Sequence, residues 1–88
     1  MRPAREVTND VVTFAMPFMN AGDRQMIREW MDVGEDALVV DLVMGAASRG
    51  DFVIPPALFT EIADYWNDPA RSNVLTEDIR ESIRTIRN

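Results

Sequence analysis

The sequence predicts an all-α protein, a small bundle of four to five short helices that forms a single domain over residues 1–88. In most segments apolar residues recur at spacings of three and four, which is the period of an amphipathic helix. Glycines and prolines divide these segments at positions where helices commonly end or begin. A chain of this length has material for one modest core and no more. We expect residues 1–6 and 87–88 to be frayed.

The first helix is predicted from Val7 to Met19, with Thr8 or Asn9 as its N-cap. Its apolar residues at helical spacing are Val11, Phe14, Ala15 and Phe18. Pro17 interrupts this segment, because a proline inside a helix removes a hydrogen bond and clashes with the preceding turn. We therefore expect a kink or a stop near Met16. A strand over the same residues is the weaker alternative, since their spacing also has some period of two.

The second helix is predicted from Asp23, as its N-cap, to about Val33, after a turn at residues 20–22. Ile27, Trp30 and Met31 share its inner face. Gly34 follows at the position where a helix commonly ends in a left-handed residue, which glycine adopts without strain. The sequence thus places a sharp boundary between this helix and the next.

The third helix is predicted to open with Glu35 and Asp36 and to end at Ser48 or Arg49, before Gly50. Two acids at its start are favourable, because the N-terminus of a helix carries a partial positive charge. Asp41 is the only carboxylate within the apolar part of this segment.

Asp41 has two interpretations. On a helix it shares one side with the small or polar residues Ala37, Gly45 and Ser48, whereas the strongly apolar residues cover the other arc. A buried and unpaired carboxylate is costly or becomes protonated. The favoured interpretation is a solvent-facing residue, and the alternative is a buried functional acid.

The fourth helix is predicted to begin at Pro55-Pro56, where proline at the first helical position is tolerated, and to stop at residues 67–69. Residues 52–54 before it are expected to be extended, since a residue that precedes proline avoids the helical region. The inner stripe of this helix is predicted to consist of Leu58, Phe59, Ile62 and Trp66.

The last helix is predicted to follow Thr76 as its N-cap. Ile79, Ile83 and Ile86 recur at helical spacing and are expected to face the core. Two pairs of opposite charge lie three residues apart on its outer side, Glu77 with Arg80 and Glu81 with Arg84. Each pair is expected to contribute a few tenths of a kcal/mol at most.

The composition argues against catalysis. The chain has no histidine, cysteine or lysine, so that a serine or threonine nucleophile has no customary base. The acidic pairs Glu35/Asp36 and Glu61/Asp64 are explained by helix capping and by a solvated helix face. The acids of residues 29–36 do not match a calcium-binding loop. We expect no catalytic residue, no metal site and no cofactor.

The charge distribution predicts the kind of partner. Residues 29–68 contain nine acids and one base, Arg49, and the whole chain has a net charge of −6. A nucleic-acid-binding protein needs a basic stripe, so direct contact with nucleic acid is not expected. An acidic field speeds the encounter with basic proteins. The candidate partner-binding residues are Glu29, Asp32, Glu35, Asp36, Asp41, Glu61 and Asp64.

Membrane insertion is not expected either, because the longest apolar run is broken by Asp41 and is too short to span a bilayer. No apolar signal-peptide region follows the basic first residues. The absence of cysteine permits a reducing compartment. We expect a cytoplasmic protein, a monomer or a weak homodimer.

Residues 27–66 combine a helix that ends in Gly-Glu, an apolar run that ends in an acid, and an extended segment with prolines before the next helix. The residues that carry this pattern are Gly34-Glu35, Leu38-Val39-Val40-Asp41, Val43, Ile54-Pro55-Pro56, Phe59 and Ile62. The pattern resembles small helical immunity proteins of bacterial polymorphic-toxin systems, including the Maf-type immunity family. The resemblance implies a protein that binds a co-produced toxin and blocks it. Glu35 and Asp41 occupy motif positions.

These observations predict a non-catalytic acidic protein that neutralises a basic toxin domain of the nuclease type by electrostatic docking. One alternative is a phage or mobile-element effector that inhibits a host protein in the manner of a DNA mimic. A second alternative is a self-associating helical adaptor, in which an exposed apolar patch joins two copies. The candidate patch consists of Met16, Met19, Trp30 and Met31.

Overall fold

The computed structural model describes residues 2–71 and 75–87 and contains five α-helices and one short 3₁₀ turn. The helices are α1 (Ala4–Ala15), α2 (Ala21–Asp32), α3 (Asp36–Ser48), α4 (Pro56–Trp66) and α5 (Thr76–Arg87), and the 3₁₀ turn spans Met16–Phe18. The described residues contain no strand. The predicted all-α bundle is confirmed, and the strand alternative for the first segment is wrong.

Helix α3 is the centre of the bundle. It packs most extensively against α5 and also against α1 and α2, while α4 packs on α1 and α5. The side chains of Val39, Val40, Val43 and Met44 are completely buried. A helix surrounded by neighbours on several sides is apolar around most of its circumference, which explains the long apolar run in this segment.

Helix α1 begins at Ala4, so its predicted start at Val7 is wrong by three residues. The expected fraying of residues 1–6 stays a prediction. The residue that caps it is Pro3, whose carbonyl accepts hydrogen bonds from the backbone N–H groups of Glu6 (3.0 Å) and Val7 (3.3 Å). The predicted caps are therefore also wrong. Thr8 is buried inside the helix, and its hydroxyl donates to the carbonyl of Ala4 at 2.8 Å.

Pro17 ends α1 as predicted, because the α-helix stops at Ala15 and a single 3₁₀ turn follows. The next helix starts earlier than expected. Asn20, and not Asp23, is the N-cap of α2, and its side-chain oxygen accepts a hydrogen bond from the backbone N–H of Asp23 at 2.8 Å. Asparagine and aspartate are equally good N-caps, so the residue types alone do not decide between these two starts of the helix.

Helices α2 and α3 end as the two glycines predict. Gly34 has a φ of 76° and Gly50 a φ of 86°, both in the left-handed region. The N–H of Glu35 then bonds the carbonyl of Trp30 at 2.8 Å, and the N–H of Asp51 bonds the carbonyl of Ala46 at 3.1 Å. These bonds over five residues satisfy carbonyls that a helix end otherwise leaves unpaired.

Arginine side chains provide further hydrogen-bond donors at the helix ends. Arg5 donates to the carbonyl of Met31 at the end of α2 (2.6 Å), and Arg24 donates to that of Met16 (2.9 Å). Arg80 donates from Nε to the carbonyl of Trp66, the last residue of α4, at 2.9 Å. A cation at a helix C-terminus is favourable because that end carries a partial negative charge.

Candidate functional site

The seven candidate acids lie at three places in the fold. Four of them are at the junction of α2 and α3, one is in the middle of α3, and two are on α4. The junction set is Glu29, Asp32, Glu35 and Asp36. Helices α2 and α4, which carry the first and last of these groups, do not pack extensively on each other.

Three acids at the α2–α3 junction form what we call the acidic ridge: Glu29, Asp32 and Glu35. They follow one another at intervals of three residues and are all exposed. Within the described part of the chain, none of the three makes an ion pair. Glu29 accepts one hydrogen bond, from the side-chain amide of Gln25 at 3.1 Å. Their full negative charge is therefore presented to solvent.

Two further residues modify the ridge. Val33, between Asp32 and Glu35, is 71% exposed and is one of the most exposed apolar side chains in the described structure. Arg28 precedes Glu29 on α2 and is exposed, but it makes no ion pair with any described acid. The ridge thus combines carboxylates with an exposed apolar side chain that neighbours two of them in the sequence.

Asp36 does not belong to this free surface. Its Oδ1 lies 2.7 Å from Nη1 of Arg5, and the side chain is half-buried. The same guanidinium holds the carbonyl of Met31. Asp36 therefore ties the start of α3 to α1 and to the end of α2, which is a structural role.

On α4 the two candidates differ. Glu61 is bound by Arg2, whose Nε lies 2.7 Å from Oε2, and Arg2 also pairs with Asp10. Glu61 first and Asp10 second raise the pKa of the Arg2 guanidinium above its usual value. Asp64 is exposed, and the described residues include no ion-pair partner for it. The α4 pair is only partly available to a partner.

Asp41 occupies an intermediate environment, so the favoured solvent-facing interpretation is only partly correct. It is half-buried on α3 and lies near Asp78 in the first turn of α5. Burial first, and the negative charge of Asp78 second, raise its pKa above the ordinary value. Because burial and Asp78 disfavour its charge, ionised Asp41 is expected to destabilise the folded protein.

Replacing Asp41 with asparagine is expected to stabilise the protein at pH 7 by a few tenths of a kcal/mol, about the size of one like-charge contact. The folded protein holds the Asp41 proton more tightly than the unfolded chain, so ionised Asp41 opposes folding above its raised pKa. Below the ordinary pKa of about 4 both states are protonated, and the penalty is absent.

The measurement is the free energy of unfolding by urea for both proteins at several pH values. The advantage of Asp41→Asn is expected at neutral pH and shrinks as the pH falls toward about 4. Asp64→Asn is the matched control, since Asp64 is exposed on α4. An equal gain from both variants would show that net charge alone, and not the position of Asp41, is responsible.

The structure also contains a feature that the sequence did not predict. An apolar groove lies between the end of α3, residues 52–56, the start of α4 and the end of α5. Its walls come from residues 47–59 and 85–87, two stretches distant in the sequence, so no local spacing signals it. The sequence contains one indication of this groove. Val53 lies between two apolar residues in a segment that is expected to be extended, and no strand is predicted that could pair with it.

The candidate self-association patch is not an exposed surface. Met19 is buried, and Met16, Trp30 and Met31 are packed against the core. The predicted location of the patch is therefore wrong, because these side chains belong to the core or pack against it. The oligomeric state itself stays a prediction.

Among residues 2–71 and 75–87, no group of three acidic side chains converges in a way that would hold a metal ion. No helix in the same part of the chain is both long and apolar enough to cross a membrane.

The fold and the ridge define a small five-helix protein that presents unpaired acids at one helix junction. Comparisons with protein families, with curated proteins and with solved structures find no match to this chain. The resemblance to Maf-type immunity proteins therefore stays a prediction.

Proposed function

We propose that this protein binds a basic protein partner through the acidic ridge and inhibits it stoichiometrically, the partner being a toxin domain of the nuclease type. The observation that carries the proposal is the contrast among the candidate acids. Asp36 and Glu61 are held by arginines, whereas Glu29, Asp32 and Glu35 have no cation partner within residues 2–71 and 75–87. Three exposed carboxylates at one helix junction, without an ion-pair partner in the described chain, favour a role toward an external cation.

Electrostatics support the proposal further. The net charge of −6 on an 88-residue chain gives a field that attracts a basic protein over about one Debye length, roughly 8–10 Å at physiological salt. A nuclease is basic where it holds phosphate, so an acidic surface matches its active site in sign. Charge of this kind mainly accelerates association and weakens as salt rises.

Val33 adds a contact that charge alone does not provide. Binding energy concentrates in side chains that become fully desolvated, surrounded by a rim that excludes water. Val33 is an exposed apolar side chain between Asp32 and Glu35 in the sequence, so it is a candidate for such a contact. We therefore expect the partner to offer a shallow apolar depression bordered by arginine or lysine.

The test begins with the protein encoded beside this one in its genome, purified as an inactive variant. Binding is measured by calorimetry at about 50 and 300 mM salt. The double variant Glu29→Lys/Asp32→Lys is expected to weaken binding roughly 10- to 100-fold, since each lost charge contact at an interface contributes about one kcal/mol or more. The wild-type affinity is expected to fall at the higher salt.

The control is Glu6→Lys/Asp64→Lys, which changes the net charge by the same amount at two exposed positions on α1 and α4. This variant is expected to retain most of the affinity. If the two double variants lose the same amount of affinity, the ridge acts only through its net charge, and it is not a defined docking surface. Capture of a host protein in place of the encoded neighbour would favour the host-effector alternative.

A further inference from the structure

The apolar groove lies at the opposite end of α3 from the acidic ridge. The ridge adjoins the first residues of α3 and the groove its last, and a helix of 13 residues is about 20 Å long. The groove encloses about 540 Å³. Its walls are mainly apolar, with the largest side chains being Phe52, Ile54, Phe59 and Ile86. A volume of this size is within the usual range of binding clefts.

One wall of the groove is a piece of extended chain with unpaired backbone. Phe52 and Ile54 are buried and Val53 between them is 87% exposed, the alternation of a strand. No backbone N–H or C=O of residues 52–54 has a hydrogen-bond partner among the described residues. The groove therefore carries a short strand edge without a neighbour. Such edges commonly bind another extended chain.

The polar side chains of the groove differ in whether they already have a partner within the protein. The hydroxyl of Ser48 donates to the carbonyl of Gly45 (2.7 Å), and that of Thr85 donates to Glu81 (3.0 Å), so both are used within their own helices. The guanidinium of Arg87 lies 5.5 Å from the ring centre of Phe59 and makes no ion pair within the described chain. The groove thus offers one free cation.

We propose that this groove binds an extended segment of a partner polypeptide that carries an apolar side chain and a carboxylate. The segment pairs its backbone with residues 52–54, inserts the apolar side chain between Phe52, Phe59 and Ile86, and places the carboxylate at Arg87. This site is separate from the acidic ridge and prefers a ligand of the opposite charge. It does not depend on the function proposed above.

A polypeptide fits this groove better than a single-chain lipid anion. Both satisfy the apolar wall and Arg87, but only a polypeptide has amide groups that pair with the free donors and acceptors of residues 52–54. A second copy of the chain is less suitable, because two molecules that each carry −6 repel one another. These other occupants become outcomes of the test.

The test uses the full-length ¹⁵N-labelled protein and a blocked pentapeptide, acetyl-Thr-Val-Ile-Val-Asp-amide, titrated by NMR. We expect saturable shifts of the amide signals of Val53, Ile54 and Phe59. A peptide with N-methyl groups on alternate residues, which cannot pair along the edge, is expected to lose binding. A peptide with lysine in place of aspartate is expected to bind up to about fivefold more weakly, the size of one exposed ion pair.

Two variants of the protein complete the test. Arg87→Gln is expected to remove the preference for the aspartate peptide and to leave the lysine peptide unchanged. Val53→Pro removes one free N–H at an exposed position, and it is expected to weaken both peptides while the circular dichroism stays that of the wild type.

Four results would each overturn the proposal. The first is the absence of saturable shifts at peptide concentrations up to about 5 mM, since even a weak site of this kind binds within that range. The second is a set of shifts located away from the groove. The third is binding of decanoate in the groove without binding of the peptide. The fourth is movement of the same signals when the protein alone is concentrated, which would assign the groove to a second copy.

Discussion

Replacing Ile79 with alanine is expected to lower the free energy of unfolding by about 2–4 kcal/mol, the usual cost of emptying a fully buried isoleucine site. Ile79 is completely buried on α5, the helix that packs most extensively against α3. A domain of this size has a total stability of about 4–13 kcal/mol. The loss is therefore a large fraction of the whole, and the melting temperature is expected to fall by roughly 10–25 °C.

The matched control is Ile86→Ala, which makes the same chemical change two turns later on the same helix. Ile86 is only partly buried, at the edge of the groove, so the expected loss is about 1 kcal/mol. Both values come from urea unfolding followed by circular dichroism. If the two losses are equal, the contact between α3 and α5 is not the centre of the core.

The ends of most helices could be predicted because single residues determine them. Gly34 and Gly50 adopt the left-handed conformation that few other residues tolerate, and Pro17 and Pro56 restrict the backbone in a known way. Each of these effects is local, so it acts in the same way in an isolated segment and in the folded protein.

The start of α1 could not be predicted in the same way. Residues 4–6 are helical because Arg5 reaches Asp36 and the end of α2, contacts with elements far along the chain. Thr8 resembles a cap in sequence but is buried inside the helix. Threonine occurs both as an N-cap and as a buried residue inside a helix. Only the packing around it decides which of the two it is.

The candidate site was predicted in composition but not in arrangement. The acidic middle of the chain indicated a charged surface, yet whether each acid is free depends on arginines distant in sequence. Arg2 reaches Glu61 and Arg5 reaches Asp36, over 59 and 31 residues. Helical periodicity places Glu29 and Asp32 on one helix face. Only the tertiary structure shows that these two acids lack an arginine partner, whereas Asp36 and Glu61 have one.

Arginine is the only basic side chain in the sequence, and three of the nine arginines bind helix ends in a way that suits a guanidinium. A guanidinium has five donors in a planar fork, so it can hold several carbonyls and a carboxylate together, whereas a lysine ammonium is a compact point charge. Arg5, Arg24 and Arg80 each close a helix end with more than one donor. The short helices of a small domain depend on such contacts because the hydrophobic core of the domain is modest.

Arg80→Ala is expected to destabilise the protein by about 3 kcal/mol. The guanidinium donates to the carbonyls of Trp66 (2.9 Å), Asp68 (3.0 Å) and Arg71 (3.1 Å) and to the carboxylate of Glu77 (2.8 Å). Its removal leaves carbonyls at the end of α4 without donors in a partly buried place, and each hydrogen bond to a charged group contributes about 1.5–3 kcal/mol before any rearrangement.

Arg84→Ala is the closest control, since Arg84 lies on the same helix and pairs with Glu81 as Arg80 pairs with Glu77. It binds no carbonyl of another element among the described residues and is 57% exposed, so a loss below about 0.5 kcal/mol is expected.

Arg80→Lys keeps the positive charge but not the planar group of donors, and it is expected to recover at most about 1 kcal/mol of the lost stability. Hydrogen exchange provides an independent measurement, because loss of Arg80 is expected to accelerate exchange of the amides at Asn67 and Arg71. Full recovery by lysine would mean that charge at the end of α4, and not the geometry of the guanidinium, stabilises this junction.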